Sequence, residues 1–558
     1  MGVPPYISPY PRYIAGAIWT HSPQTQILYQ TIDQLREAAD ETRSSWTHAG
    51  AVMLIAGMIV PGKYIGGTPI SVREAREFFS APESAGIPKL LVGPWARFGC
   101  GLEGGRFALG SDVLSPPFDY IVRGDAEIVI GRAAEDGWDF SAVDLDETRG
   151  SPQDISEYAV RGSAIVEQHP GHSMGYLICE IETYRGCPRY VSGGCSFCIE
   201  PLYGLPAQRE PEDIIREIES LYNHGVRAFR IGRQADLFTY GSTEMGETEF
   251  PTPSPRIIES LFSGIRTVAP KLQVLHIDNV NPGTIAAHPE ESKAVARIIM
   301  KYHTVGDVAA FGVESLDPEV KKRNNLKVTQ EEAVTAIRIL NEVGGQRPDW
   351  ELPHLLPGIN LLYGLPGESK RTLEYNMEFL RELVTEGLLV RRINIRQVIR
   401  FPGTPISRGE KGRLRHSEFI RHKREIREQI DQVMIARVAP LGTIIRSVYP
   451  EQREGNVQLL RPLGTYPLLC HMPMGQEVSE AADVFVVDHG PRSVTVLPFP
   501  FLPNRASMAQ WKVVPGIGDK RAASMKSSGP WHDSQHMEER LSMELPSWFK
   551  RCLSFEPG

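Results

Sequence analysis

Over the first 165 residues, apolar runs of strand length alternate with segments of helical spacing. The runs are Ala51–Val60, Lys89–Gly93 and Asp119–Val122, and the helical segments are Gln26–Arg43, Val72–Phe79 and Ala126–Ala134. This alternation predicts a doubly wound parallel α/β sheet. Gly66-Gly67, Gly101 and Gly104-Gly105 mark its turns.

From 172 to 405 the alternation continues on a longer period. Strands are expected at Tyr176–Thr183, Ala228–Gly232, Gln273–Asp278, Ala309–Glu314, Gly358–Tyr363 and Ile393–Val398, with amphipathic helices such as Pro211–Asn223, Gln330–Val343 and Lys370–Thr385 between them. Six such units predict a parallel barrel, open or closed, with its site at the carboxyl ends of the strands. A charged helix, Ser417–Arg437, opens the next region, 406–504. Short apolar segments there, such as Asp483–Asp488 and Ser493–Pro498, predict a small β barrel. Residues 505–523 read as mostly helical, and the last thirty or so, after Ser-Ser-Gly-Pro at 527–530, as loosely ordered.

Composition narrows the class. With 41% hydrophobic and 23% charged residues in 558, collagen-like and disordered chains are excluded. Seven cysteines are too few for a disulfide scaffold and point to a reducing, cytoplasmic setting. The amino-terminal stretch lacks the basic and apolar regions of a signal peptide, and the longest apolar run is too short to cross a bilayer. The net charge of −8 conceals a basic block: residues 391–461 hold 16 Lys/Arg against 7 Asp/Glu, a local +9, so the remainder sums to −17.

The chemistry gathers directly after the first barrel strand, in ETYRGCPRYVSGGCSFCIE. Cys187, Cys195 and Cys198 are soft ligands suited to iron–sulfur clusters or zinc. Three thiolates instead of four would leave one iron open to a further ligand. The alternative is a zinc knuckle completed by His172 or a distant residue.

Three cysteines on this loop, the last pair spaced C-x-aromatic-C, resemble the radical S-adenosylmethionine (SAM) superfamily, although the first gap is seven residues where three is usual. Later segments fit in order. FGVESLDPEVKK (311–322) resembles the fourth-strand motif, placing Glu314 and Ser315 near the SAM ribose. INLLYGLPGES (359–369), followed by Thr372, resembles the fifth-strand signature near the adenine, with Gly364, Pro366 and Gly367. QVIRFPGTP (397–405) resembles the end of the sixth strand. RIGRQADLF (230–238) replaces the usual glycine- and glutamate-containing patch, leaving Gln234 and Asp236 as candidates for the SAM amino group, and HIDNVNPG offers His276, Asn279 and Asn281. The resemblance implies a partial (β/α)6 barrel, a 4Fe-4S cluster on the three cysteines, and reductive cleavage of SAM to a 5′-deoxyadenosyl radical, with ferredoxin or flavodoxin as electron donor.

The flanks add two resemblances. DYIVRGDAEIVI (119–130) is similar to the segment closing cobalamin-binding and methylthiotransferase amino-terminal domains. Residues 1–165 lack the cobalt-ligating Asp-x-His-x-x-Gly element, their histidines being His21 and His48, and they carry only Cys100 where methylthiotransferases have three cysteines. That leaves a scaffold or a substrate platform. WKVVPGIGDKRAASM (511–525) matches the helix-hairpin-helix pattern, in which Gly516 and Gly518 let backbone N–H groups approach phosphate while Lys520 and Arg521 add charge. The expected organisation is therefore 1–165, 172–405, 406–504 and 505–558. The expected activity is radical chemistry on an RNA such as tRNA. A protein or small-metabolite substrate, or a non-enzymatic zinc-containing nucleic-acid-binding protein, remain as rivals.

Overall fold

A computed structural model of the chain describes residues 6–58, 68–410, 412, 414–475 and 478–555. The end of the Ala51–Val60 strand and the Gly66-Gly67 turn lie outside the described residues. Strands are β1 (Tyr6–Ile7), β2 (Val52–Ile55), β3 (Lys89–Val92), β4 (Tyr120–Ile121), β5 (Ile178–Glu182), β6 (Ala228–Arg233), β7 (Val274–Ile277), β8 (Asp307–Glu314), β9 (Leu355–Tyr363), β10 (Arg392–Gln397), β11 (Ile444–Glu454), β12 (Val457–Pro462), β13 (Leu469–Pro473), β14 (Ala482–His489) and β15 (Ser493–Pro498).

All six barrel strands form where the apolar pattern places them. β5, β6 and β7 pair in parallel in one sheet, and the short strand Asn279–Val280, directly after β7, opens a second parallel sheet with β8, β9 and β10. One face of each strand packs on the surrounding helices through residues such as Ile231, Phe311, Ile359 and Ile395. The other face turns inward with polar side chains on alternate positions: Glu180, Arg230, His276, Asn360, Arg392, Asn394 and Arg396. The chain is thus a mixed α/β protein with a parallel partial barrel and a carboxyl-terminal β domain.

The amino terminus departs from expectation. β1 pairs in parallel with β5, Tyr6 opposite Ile178, so the first residues complete the barrel sheet, across the boundary expected near 165. A helix, α1 (Pro9–His21), follows. Its prolines lie in the first turn, where no intrahelical N–H is needed. The expected helix Gln26–Arg43 is shorter, Ile32–Glu37 then Ala39–Trp46, because Thr31 and Gln34 form a capping box that starts it late. β2, β3 and β4 form a parallel three-stranded sheet. The Gly101–Gly105 turn has a packing reason: a Cβ on Gly104 would lie 3.1 Å from the Gln397 carbonyl oxygen, and Gly105 N–H bonds Val398 O. The turn seals the carboxyl end of β10.

Beyond the barrel, α2 (His416–Ile426) and α3 (Gln432–Val438) are joined by a π turn, close to the single helix expected. Strands β11–β15 close a barrel in the order β11-β12-β13-β15-β14. This domain covers the amino ends of the parallel strands: Leu463 packs on Tyr176, Ile178, Ala228 and Val274, and the Tyr449 ring lies tilted against Tyr176. The final segment is not loose. Helices α4 (Met508–Lys512), α5 (Asp519–Ser527), α6 (Ser534–Leu541) and α7 (Ser547–Lys550) enclose Trp511, Trp531, Met537, Leu545 and Phe549 in one buried core against Phe485 and Phe501. Apolar burial outweighs the breakers at 527–530.

Candidate active site

The cysteine loop leaves β5 and is tied down from three sides. Pro188 to Ser192 form a 3-10 turn, and Gly193 and Gly194 carry φ of +86° and +66° to bring the chain back. Ser196 N–H and hydroxyl bond the carbonyl and side-chain oxygens of Asn324, at 3.1 and 2.7 Å. Asn325 Nδ2 donates to Ser192 O and Gly194 O, and Ile406 N–H to Ser196 O. Asn324 Nδ2 also donates to Pro366 O, so the G-L-P-G turn supports the cysteine loop through one asparagine.

All three cysteines are half-buried at the open, carboxyl end of the strands. Burial pushes the Cys187 thiol up to about 12; burial and then the neighbouring thiols, Cys195 foremost, hold Cys198 well above its ordinary value. Three thiolates packed this way need positive charge between them. Arg189 begins to supply it, donating from Nη1 to Cys195 Sγ over 2.8 Å. Among the described residues no three His, Cys, Asp or Glu side chains close around a space of single-ion size. Three soft thiol ligands on one loop with a cation beside them suit the chemistry of an iron–sulfur cluster. His172 is no part of this loop: it precedes β5, at the opposite end of the barrel, where Nε2 bonds His224 O over 2.6 Å. The zinc knuckle completed by His172 is corrected accordingly.

Glu314 lies beside the loop. It sits at the end of β8 in a left-handed conformation, φ +63°, where a register shift breaks the pairing with β9. Burial raises its carboxyl to about 8 against the pull of Arg396; the Cys195 thiol is raised by its own burial first, against Arg189, with Glu314 adding to the rise. The other residues proposed from sequence divide. Gln234 and Asn279 meet, Asn279 Nδ2 donating to Gln234 O, but the Gln234 amide is used by Thr183 and Ile231 O. Asp236 is buried and accepts from Phe238 N–H and the Thr284 hydroxyl, and Asn281 caps the next helix. Ser315 is buried and accepts from Asp317 N–H. Gly364 and Gly367 form the turn with φ of +88° and +93°, and Thr372 bonds Asp317. His276 is far from the cysteines: its Nδ1 accepts Thr465 N–H from the β domain at the amino ends of the strands. Asp236 and Ser315 are thus committed to protein partners, whereas His276 Nε2 is buried without a partner among the described residues.

Arg189, Asn324, Asn325 and Arg396 were not singled out from sequence. Asp125 and Glu127 of the 119–130 segment also have a plain role. They pair with Arg97, Arg149 and Arg185 beside Glu182, fastening the amino-terminal unit to β5. In the last module Gly516 (φ +84°) and Gly518 face open space, Lys520 is exposed, and Arg521 donates to Gly516 O over 2.7 Å, closing the turn between α4 and α5. No helix is long and apolar enough to cross a membrane, among the described residues.

The family model described as Radical SAM superfamily matches residues 181–380, from the end of β5 to beyond the G-L-P-G turn. The chain belongs to this superfamily. As a radical SAM enzyme it uses a 4Fe-4S cluster and SAM. An uncharacterised protein of Methanocaldococcus jannaschii is 44% identical over 502 residues, covering 89% of this radical SAM chain and 90% of the relative. More distant relatives are a ribosomal protein uS12 methylthiotransferase of Carboxydothermus hydrogenoformans, 21% identical over 50% of this chain and 57% of the relative, and a tRNA-2-methylthio-N(6)-dimethylallyladenosine synthase of Clostridium botulinum, 20% identical over 50% and 54%. The solved structure of OxsB, a cobalamin-dependent radical SAM enzyme, aligns with a TM-score of 0.43 at 12% identity, over 67% of this chain and 49% of that one.

Proposed function

We propose that Cys187, Cys195 and Cys198 hold the 4Fe-4S cluster and that the enzyme modifies a structured RNA of the tRNA kind. The observation that carries the cluster assignment is the convergence of three thiols at the open barrel end with Arg189 bonded to one of them. When bound, the cluster supplies the electron that cleaves SAM for hydrogen abstraction. The chain's own residues do the rest. Asn324 and Asn325 fix the loop, Arg189 offsets thiolate charge, and Glu314 offers a half-buried carboxyl beside Cys195. Arg396 stands against Glu314, and Gln234 and Asn279 line the next strand ends.

The RNA reading rests on the exposed glycine turn with Lys520, on the basic block, and on similarity to a tRNA-modifying enzyme. The similarity to a ribosomal-protein methylthiotransferase favours a protein substrate as the second reading. A ferredoxin- or flavodoxin-type donor in a cytoplasmic setting belongs to the same proposal. Two measurements test it. Cys195→Ala should abolish both the brown cluster absorbance and reductive SAM cleavage in anaerobically purified enzyme; persistence of either overturns the cluster assignment. Filter binding of bulk tRNA over a salt series should give salt-sensitive retention weakened by Lys520→Gln, and no binding removes the RNA reading.

A further inference from the structure

Part of the basic block of the sequence gathers along the inner face of β10. Arg392 and Arg396 are on that strand, Arg427 on the π turn after α2, and Arg492 on the turn between β14 and β15. Three elements far apart in sequence thus bring four guanidiniums together. Arg427 is placed by a bond to Ile393 O and by its ion pair with Asp431; Arg392 lies over the Tyr466 ring, 4.9 Å from its centre, and bonds Asn394 Oδ1. Arg391 lies behind, buried, with Nε lacking a partner among the described residues. Lys423 extends the positive field.

The charges do not balance. Asp431 faces Arg392, Arg427 and Arg492, and Glu314 faces Arg396. Arg396 and Arg492 make no hydrogen bond or ion pair with the described residues, and both residues are exposed. Burial and then the surrounding charges, with arginines Arg391, Arg396 and Arg427 pushing down, bring the Arg392 guanidinium to about 10. Like charges held together at this cost call for an anion. Guanidinium forks match phosphate oxygens bidentately. Arg392 to Arg396 spans roughly 13 Å of strand at about 3.3 Å per residue, more than one phosphate group covers. The row climbs from the β domain toward Glu314 and the cysteine loop.

We propose that Arg392, Arg396, Arg427 and Arg492 form a phosphate-binding crevice that seats the sugar–phosphate backbone of the substrate beside the radical site. This rests on the RNA reading above, and its test separates the two. Anaerobically purified full-length wild type, Arg396→Gln/Arg492→Gln and Arg396→Lys/Arg492→Lys are titrated with bulk tRNA over a salt series, with thermal melting in inorganic tripolyphosphate as a second arm. The glutamine double variant should bind tRNA tenfold or more weakly with the salt slope reduced by about 1 to 2, while the lysine variant keeps most of the affinity. Tripolyphosphate should raise the melting temperature of wild type and not of the glutamine variant. Unchanged tRNA affinity and slope in the glutamine variant overturn the crevice while the RNA reading stands. No tRNA binding by wild type, with tripolyphosphate stabilisation lost in the variant, keeps the crevice as a site for a small phosphate ester and overturns the RNA reading. No response in either arm overturns both.

Discussion

Arg189 Nη1 donates to Cys195 Sγ over 2.8 Å, while the other end of the same guanidinium bonds Asn325 O. One side chain therefore couples a thiol of the proposed cluster to the turn that anchors its loop. A positive donor at a cluster sulfur stabilises the reduced, more negative state. Arg189→Gln should shift the midpoint potential of the cluster to a more negative value, read by electron paramagnetic resonance during a redox titration. An unchanged potential in a variant that still assembles the cluster would refute this role.

Glu217 is buried on the helix Pro211–Asn223 and receives Arg12, Arg209 and the Tyr13 hydroxyl. Glu217→Ala leaves two buried guanidiniums without their ion-pair partner. It should destabilise the protein by about 3–5 kcal/mol in denaturant unfolding, far more than Glu219→Ala on the same helix, used as an exposed control.

Glu368 of the G-L-P-G-E turn is buried, with Oε2 accepting Gly364 N–H and Oε1 unpartnered among the described residues. Burial raises its carboxyl to about 7 from 4.5, so the folded chain keeps a proton that the unfolded chain has lost between those values. That contribution is fully present below pH 4.5 and lost as pH rises through about 7, a difference of about 3 kcal/mol. Glu368→Gln should flatten this part of the pH–stability curve and raise the melting temperature more at pH 8 than at pH 5. Parallel curves for the two proteins would contradict the assignment.

Ending the chain after Ser528 removes Trp531, Met537, Leu545, Phe549 and Cys552 from the core that surrounds Trp511. The loss of several buried side chains, each worth about 2–5 kcal/mol, should unfold α4 and α5. Limited proteolysis should then cleave within 505–528 in the truncated protein and spare that segment in the full chain.

The barrel strands were legible because each is a compact apolar run followed by a helical period, and the cysteines because their spacing is itself the signal. The side chains that tie down the cysteine loop were not. Asn324 and Arg189 act through side-chain bonds to loops more than a hundred residues away or to a sulfur, and such bonds leave no periodicity. Arg189 in C-P-R-Y was the one available hint. His276 shows a different limit: its strand and inward direction follow from alternation, but its height in the barrel does not, and it serves the β domain instead of the cysteine end. Arg492 lies outside the basic block by sequence and joins it only through the fold.

The pairing of Tyr6 with Ile178 bears on how the chain assembles. The edge strand is made first, and its partner follows about 170 residues later. At a synthesis rate of roughly 5–20 residues per second, β1 and α1 wait on the order of ten to thirty seconds for β5. The three-stranded sheet emerges in that interval, and Ile14 and Ile18 of α1 pack on its Leu90, Val92 and Val122. Topologically this unit is an insertion within the barrel's first parallel pair. It can shelter the edge strand on the ribosome until the rest of the barrel arrives.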